Sequence, residues 1–181
     1  MSGHNKWSKI KHKKAASDAQ KSKLFSKHAN LIAVESRKAK GDLAAPNLIA
    51  MIERAKKDSM PKENIDRAVA KGKSAESAAL TEVTYETYGP GGVAIIITAV
   101  TDNPNRTTPE IRHLLTKNGY ALGTTGSASW AFVKTDSGYV PLNATGLSDE
   151  DGEKLATLVE AIEEHDDVHD VFTSADSPSE E

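Results

Sequence analysis

Lysine is the residue type that this chain concentrates most strongly at one end. Lys6, Lys9, Lys11, Lys13, Lys14, Lys21, Lys23 and Lys27 crowd its opening, with His4, His12 and Trp7 set among them. Clustered ammonium groups bind phosphate backbones, and an aromatic ring among them can stack on an exposed base. The arrangement predicts a nucleic-acid contact made of His4, Lys6, Trp7, Lys9, Lys11, His12, Lys13, Lys14, Lys21, Lys23 and Lys27. A solvated tail is the alternative. An indole is costly to leave in water, and a protein that is already acidic overall has no need of so many lysines for solubility, so binding is the better reading.

A second constellation lies in TDNPNRTTPEIRH (101–113), where Asp102, Asn103, Asn105, Arg106 and Arg112 gather on a strand-to-helix loop. Thr107 or Thr108 reads as a helix cap there, with Pro109 in the first turn and Glu110 completing a capping box. Two guanidinium groups beside a helix start suit an anion, so the loop is a secondary contact candidate. EEHDDVHD (163–170) brings His165 and His169 near a cluster of acids, a metal-binding composition. Its place at a helix end turning into a strand should splay those side chains apart, so no metal is expected. GPGG (89–92) lacks the Lys-Ser/Thr of a phosphate loop and precedes a strand, which makes it a hairpin turn. His113 has no nucleophile motif beside it and reads as a structural histidine of the sandwich. Neither an enzyme nor a cofactor is expected.

The formal net charge of -3 hides a division. Residues 1–80 carry 18 Lys and Arg against 8 Asp and Glu, a balance of +10, and the remainder carries 5 against 18, a balance of -13. One end is built to meet a polyanion and the other to stay away from it. The 181 residues contain no cysteine, which excludes disulfides and thiolate zinc sites. No apolar run is long enough to cross a bilayer and no signal-like apolar stretch opens the chain, so a cytoplasmic, non-membrane protein is expected.

The elements that position these residues follow from periodicity. Residues 1–16 read as an arm. Leu24, Phe25, His28, Leu31, Ile32 and Ala39 recur at helical spacing from Asp18 to about Lys40, with Gly41 as the stop. Pro46 opens a second helix carrying Leu48, Ile49, Ile52 and Ala55, and Pro61 opens a third that ends at Gly72. The second and third could pair as a helix-turn-helix presenting Lys62, Arg67 and Lys71, but base-reading side chains are sparse there, which favours a plain helical hairpin. After the Ser/Ala-rich linker the period becomes alternating: strands at 82–88, 93–100, 128–134 and near GYVPL, a helix after TDNPNRT, a second helix capped by Ser148, and a closing strand at 170–174. The expected fold is α+β, a three-helix domain over 1–76 and, over 77–181, a ferredoxin-like βαββαβ sandwich with an extra leading strand.

These stretches resemble the YebC/PmpR family, whose mitochondrial relative is the translational activator of cytochrome c oxidase. GHNKWSKIKHKKAASDAQKSKLFSK is similar to the family's opening, with Gly3, His4, Lys6, Trp7, Ile10, Lys11, Lys14, Asp18 and Phe25 on its motif positions. Asn5 stands where Ser is usual, and Lys13 and Lys21 where Arg is usual, so the charge is kept without the guanidinium fork. YETYGPGG, TDNPNRT with EIRH, and LGTTGSASWAF look like family signatures too. The family has a third domain inserted after the strand ASWAFVK, where this chain has only TDSGYVPLNATG, so the resemblance implies a short form without the insert. It also implies a non-enzymatic regulator of gene expression. On the residues, RNA is favoured over duplex DNA, because a Lys/His/Trp arm suits an irregular RNA surface. The leading expectation is a ribosome-associated translation factor that assists elongation at difficult, for example proline-rich, stretches. A DNA-binding transcriptional regulator is the alternative, a protein-binding adaptor the third, and a monomer is expected.

Overall fold

Apolar residues three and four apart wind Asp18–Lys38 into α1, and the computed structural model describes residues 18–74, 79–136 and 138–176. Helix α1 ends where Gly41, at φ +79°, returns its N–H to the Ser36 carbonyl at 2.8 Å. Proline at the first helical position then starts α2, Pro46–Lys57, because its fixed φ suits a helix start where no N–H partner exists. The αL residue Ser59 turns the chain into α3, Lys62–Lys73. Ile32, Leu48, Ala55, Met60, Ile65, Ala68 and Val69 close the core of this three-helix bundle. His28 is buried within it and meets the Asp58 carboxylate at 2.6 Å, tying α1 to the turn after α2.

Gly72 does not stop α3 as the sequence pattern suggests. It lies inside the helix, where a Cβ would come within 2.4 Å of the Ala33 carbonyl oxygen. The glycine is there to let α1 and α3 approach closely, and Ser36 Oγ uses that approach to donate to the Val69 carbonyl at 2.9 Å. The helical unit runs to Glu82 and takes in Val100–Asn103, while the second compact unit includes 83–99 and continues from Pro104.

In the second unit the strands β1 (Thr81–Tyr88), β2 (Ala94–Thr101) and β5 (Val168–Thr173) form a sheet in the order β1-β2-β5, with β2 and β5 antiparallel. Between β2 and β5 the chain forms α4 (Pro104–Lys117), the hairpin β3 (Phe132–Thr135) and β4 (Gly138–Pro141), and α5 (Asp149–Glu163). From β2 onward the order is therefore the ferredoxin-like βαββαβ, with β1 leading. The hairpin forms a two-stranded sheet of its own.

This layering explains why β2 reads as an unbroken apolar run. Val93, Ile95, Ile97 and Ala99 join Ile111 and Leu115 of α4 and Leu155, Leu158, Val159 and Ile162 of α5 in one core. Ala94 and Ile96, on the alternate face, pack with Ala128, Ala131, Phe132, Tyr139 and Phe172 in another. A strand buried on both faces has no polar side to alternate with. Ser148 caps α5 as expected, accepting from the Asp151 N–H at 3.1 Å.

Two boundaries differ from the sequence reading. Helix α4 begins at Pro104, so Pro109 lies inside it and Thr107 and Thr108 are not caps. Either proline satisfies a first-turn preference, and tertiary bonds decide: Thr107 donates to Asp167, and Thr108 pairs with the Tyr85 hydroxyl at 3.0 Å. The segment Ser129–Ala131 is a 3-10 turn, and β3 starts only at Phe132.

Candidate nucleic-acid interface

Of the lysine set, His4, Lys6, Trp7, Lys9, Lys11, His12, Lys13 and Lys14 lie outside the described residues. Lys21, Lys23 and Lys27 stand on the first turns of α1. The helical period places Lys23 and Lys27 one turn apart, on the face opposite Phe25, Ala29 and Ile32, which belong to the bundle core. Lys21 is exposed and the other two are partly so. The hydrophobic anchoring of α1 thus turns Lys23 and Lys27 away from the core, whereas Lys21, four residues before Phe25, lies on the core-side face and is exposed there. In the turn between α2 and α3, Met60 is buried and Arg67 spends its guanidinium on the Asn64 side chain and the Glu63 carbonyl of its own helix. That geometry is a helical hairpin inside a bundle, as the sequence favours.

The secondary loop is differently occupied. Asp102, Asn103 and Asn105 are exposed, and Arg112 is exposed on α4. The Arg106 Nη2 atom, however, lies 2.7 Å from Asp167 Oδ2, and its Nε lies 3.8 Å from Glu110 Oε2. Thr107 Oγ1 donates to the same Asp167 oxygen at 2.7 Å. Burial pushes the Asp167 carboxyl up, but the Thr107 and Arg106 bonds and the guanidinium charge outweigh it and hold its pKa below the usual range. Arg106 therefore joins the start of α4 to the turn before β5. Glu110 does not close a capping box; it meets His165 Nε2 at 3.0 Å. His165 Nδ1 accepts the Asp167 N–H at 3.2 Å, so the imidazole carries its proton on Nε2 and donates it to Glu110. His165 does find acidic neighbours, though Glu110 and Asp167 gather with it and His169 is not part of the group. The Arg106 charge occupies the place beside Asp167 that a cation would take. His113 is exposed on α4, and so is not the core histidine its position suggests.

A group that residue patterns did not single out lies on the hairpin side of β1. Strand alternation sends Val83 and Tyr85 to the helix face and Glu86 and Tyr88 to the other. The Glu86 carboxylate, in a residue only 5% exposed, accepts three backbone N–H groups. Gly126 donates to Oε1 at 2.8 Å, and Ala128 and Ser129 donate to Oε2 at 2.7 and 2.8 Å. Burial raises its pKa, these bonds lower it, and the bonds win. The loop so pinned carries Trp130, 68% exposed, whose Nε1–H is shared between the Ser127 carbonyl at 2.9 Å and the Tyr88 hydroxyl at 3.0 Å. A Trp inside the Gly/Ser-rich stretch GTTGSASW was the available signal.

Comparison with known proteins bears on the whole chain. The profile of the TACO1/YebC protein N-terminal domain matches residues 5–75, and that of the TACO1/YebC second and third domain matches residues 80–136. A "probable transcriptional regulatory protein" of Dictyoglomus turgidum is 44% identical over 185 residues, covering 99% of this chain and 74% of the relative. One of the same description from Thermotoga petrophila is 50% identical over 136 residues, covering 74% of this chain and 54% of the relative. The crystal structure of a conserved hypothetical protein from Aquifex aeolicus superposes with a TM-score of 0.80 at 33% identity, covering 94% of this chain and 96% of that one. No described helix is long and apolar enough to cross a membrane. Motifs spread from Gly3 to Phe132, the order of elements and these similarities agree: the chain belongs to the TACO1/YebC family.

Proposed function

We propose that this protein is a nucleic-acid-binding regulator of gene expression that meets its polyanion through the basic helical unit. The observation that carries the reading is the charge division, +10 over residues 1–80 and -13 beyond, with Lys21, Lys23 and Lys27 on the first turns of α1. Membership of the family is that of a regulatory protein and not of an enzyme. The relatives' shared description, probable transcriptional regulatory protein, supports duplex DNA as the target and transcription as the process. In that reading the ammonium groups of the opening segment neutralise phosphates, and the loop and helix carrying Asp102, Asn103, Asn105 and Arg112 supply further polar contacts. Lys13 and Lys21 attract phosphate as point charges without bidentate geometry, so sequence discrimination by them is weak.

A second reading, a ribosome-associated translation factor acting on RNA at difficult stretches, is supported by the exposed, fixed indole of Trp130, which suits an unstacked base better than a duplex. The protein acts in the cytoplasm and as a monomer in both readings. The deciding experiment is co-sedimentation with ribosomes over a salt series beside titration onto duplex DNA in the same buffers. Five lysines on phosphate give a slope of log affinity against log salt of about -4 to -5. Tight duplex binding with that slope and no ribosome association supports transcription, and the converse supports translation. Association that persists after nuclease treatment and shows no salt slope would refute both in favour of a protein-binding adaptor.

A further inference from the structure

We propose that Trp130 is a base-stacking platform, which the second unit uses to take one unpaired nucleobase; the inference rests on the nucleic-acid reading above and names a second contact for it.

Three features lead there. The indole is 68% exposed, although burial of so large an apolar surface is normally favoured. It is nevertheless held in place. Its N–H is shared between the Ser127 carbonyl and the Tyr88 hydroxyl, which itself donates to that carbonyl, and the loop beneath is fastened by three backbone N–H groups on the Glu86 carboxylate. A ring already fixed in the free protein loses little side-chain freedom when a ligand arrives. Finally, with the N–H consumed internally, what the residue offers is its π-face. Such a surface accepts any base and makes no directional demand.

Charge selects the kind of contact. Residues beyond 80 carry a formal balance of -13, which disfavours phosphate, whereas the flat face of a base is uncharged and can approach an acidic domain. The exposed residues leading to the ring, Thr124, Thr125 and Gly126, are small and leave its approach open, while exposed apolar side chains adjoin it in Tyr88, which holds the indole N–H, and Leu142, whose N–H donates to the Ala131 carbonyl. Stacking on one face requires a base free of its own neighbours, so the site takes single strands, loops or bulges and passes over duplex.

Affinities are measured on the full chain, and indole emission on the same chain carrying Trp7→Phe, which leaves Trp130 as the sole tryptophan. A fluorescein-labelled single-stranded 12-mer of adenylate RNA and a 12-base-pair RNA duplex are titrated by anisotropy, with indole emission followed in parallel. Single-strand binding quenches Trp130 emission. Adding Trp130→Ala weakens single-strand affinity about 5- to 100-fold while duplex affinity stays within about twofold, and Trp130→Phe recovers part of the loss. Tyr88→Phe, which keeps the ring but removes one acceptor of the indole N–H, gives an intermediate loss and guards against a folding artefact. Single-strand binding with unchanged emission and unchanged affinity in Trp130→Ala overturns the platform, leaves the nucleic-acid reading standing and assigns the ring to a protein partner. Equal losses on single strand and duplex also overturn it. Absence of binding to either probe at low salt overturns both.

Discussion

Replacing Glu86 by Gln removes one of the two carboxylate oxygens that hold the 126–129 loop. The remaining amide oxygen can keep the Ala128 and Ser129 N–H groups, now at neutral strength, while the amide NH2 faces the Gly126 N–H as donor against donor. A hydrogen bond to a charged group contributes about 1.5–3 kcal/mol and a neutral one about 0.5–1.5, so losing one and weakening two costs about 4–5 kcal/mol. For a unit of roughly 100 residues that lowers the melting temperature by about 20 °C. The pH dependence gives the sharper check. Because the folded carboxyl titrates below its unfolded value of 4.5, the stabilisation is fully present above that value and is lost as pH falls through the folded one. The glutamine variant carries no such group, so the gap between the two proteins narrows on acidification. Urea unfolding followed by far-UV circular dichroism from pH 7 down to pH 3.5 measures it, and the parallel loss from Asp167 cancels in the difference. A gap that stays constant over this range, or a cost under about 0.5 kcal/mol at pH 7, would refute the assignment of the loop's anchoring to the charged carboxylate.

Gly72→Ala places a methyl 2.4 Å from the Ala33 carbonyl oxygen, so the helical bundle should lose about 1–3 kcal/mol by thermal unfolding even though alanine is the better helix former. Gly138→Ala, at φ +125° and with its Cβ 2.4 Å from the Phe172 ring, should unwind the β3–β4 hairpin; two-dimensional NMR would show the shift changes confined to Phe132, Tyr139, Phe172 and their neighbours. Asp167→Asn should cost about 1–3 kcal/mol at pH 7, and its deficit against the parent, whose Asp167 pKa is depressed, should shrink as pH falls below the unfolded carboxyl value. Neutralising Lys6, Lys9, Lys11, Lys13 and Lys14 to Gln should flatten the salt dependence of nucleic-acid binding by about 4 to 5 in slope; an unchanged slope places the phosphate contacts elsewhere.

Local chemistry carried much of the architecture. Pro46, Gly41 and Ser148 mark helix ends through preferences that act over three or four residues, and the structure places them in those roles. The run from Val93 to Val100 is recognisable as a central strand because burial on two faces removes alternation. Where two local signals competed, tertiary bonds decided. Pro104 and Pro109 both suit a helix start, and the outcome turned on Thr107 finding Asp167, sixty positions away. Gly72 reads as a stop because nothing nearby in sequence announces the Ala33 carbonyl against which it packs.

By itself the sequence determined the charge division, the order of the elements and the family, since each is a property of residue types and short spacings. Tertiary structure alone decided which polar groups are spent inside the protein and which remain for a partner. Arg106 is indistinguishable from Arg112 in a string of letters and both are exposed, yet Arg106 is held by the Asp167 carboxylate. Tyr85 and Tyr88 stand three apart on one strand, yet the first is buried beneath a helix and the second braces a solvent-facing tryptophan. Strand alternation specifies the face of a side chain, but its neighbour on that face comes from chain 23 to 42 residues distant, and the nature of that neighbour sets whether a group is structural or available.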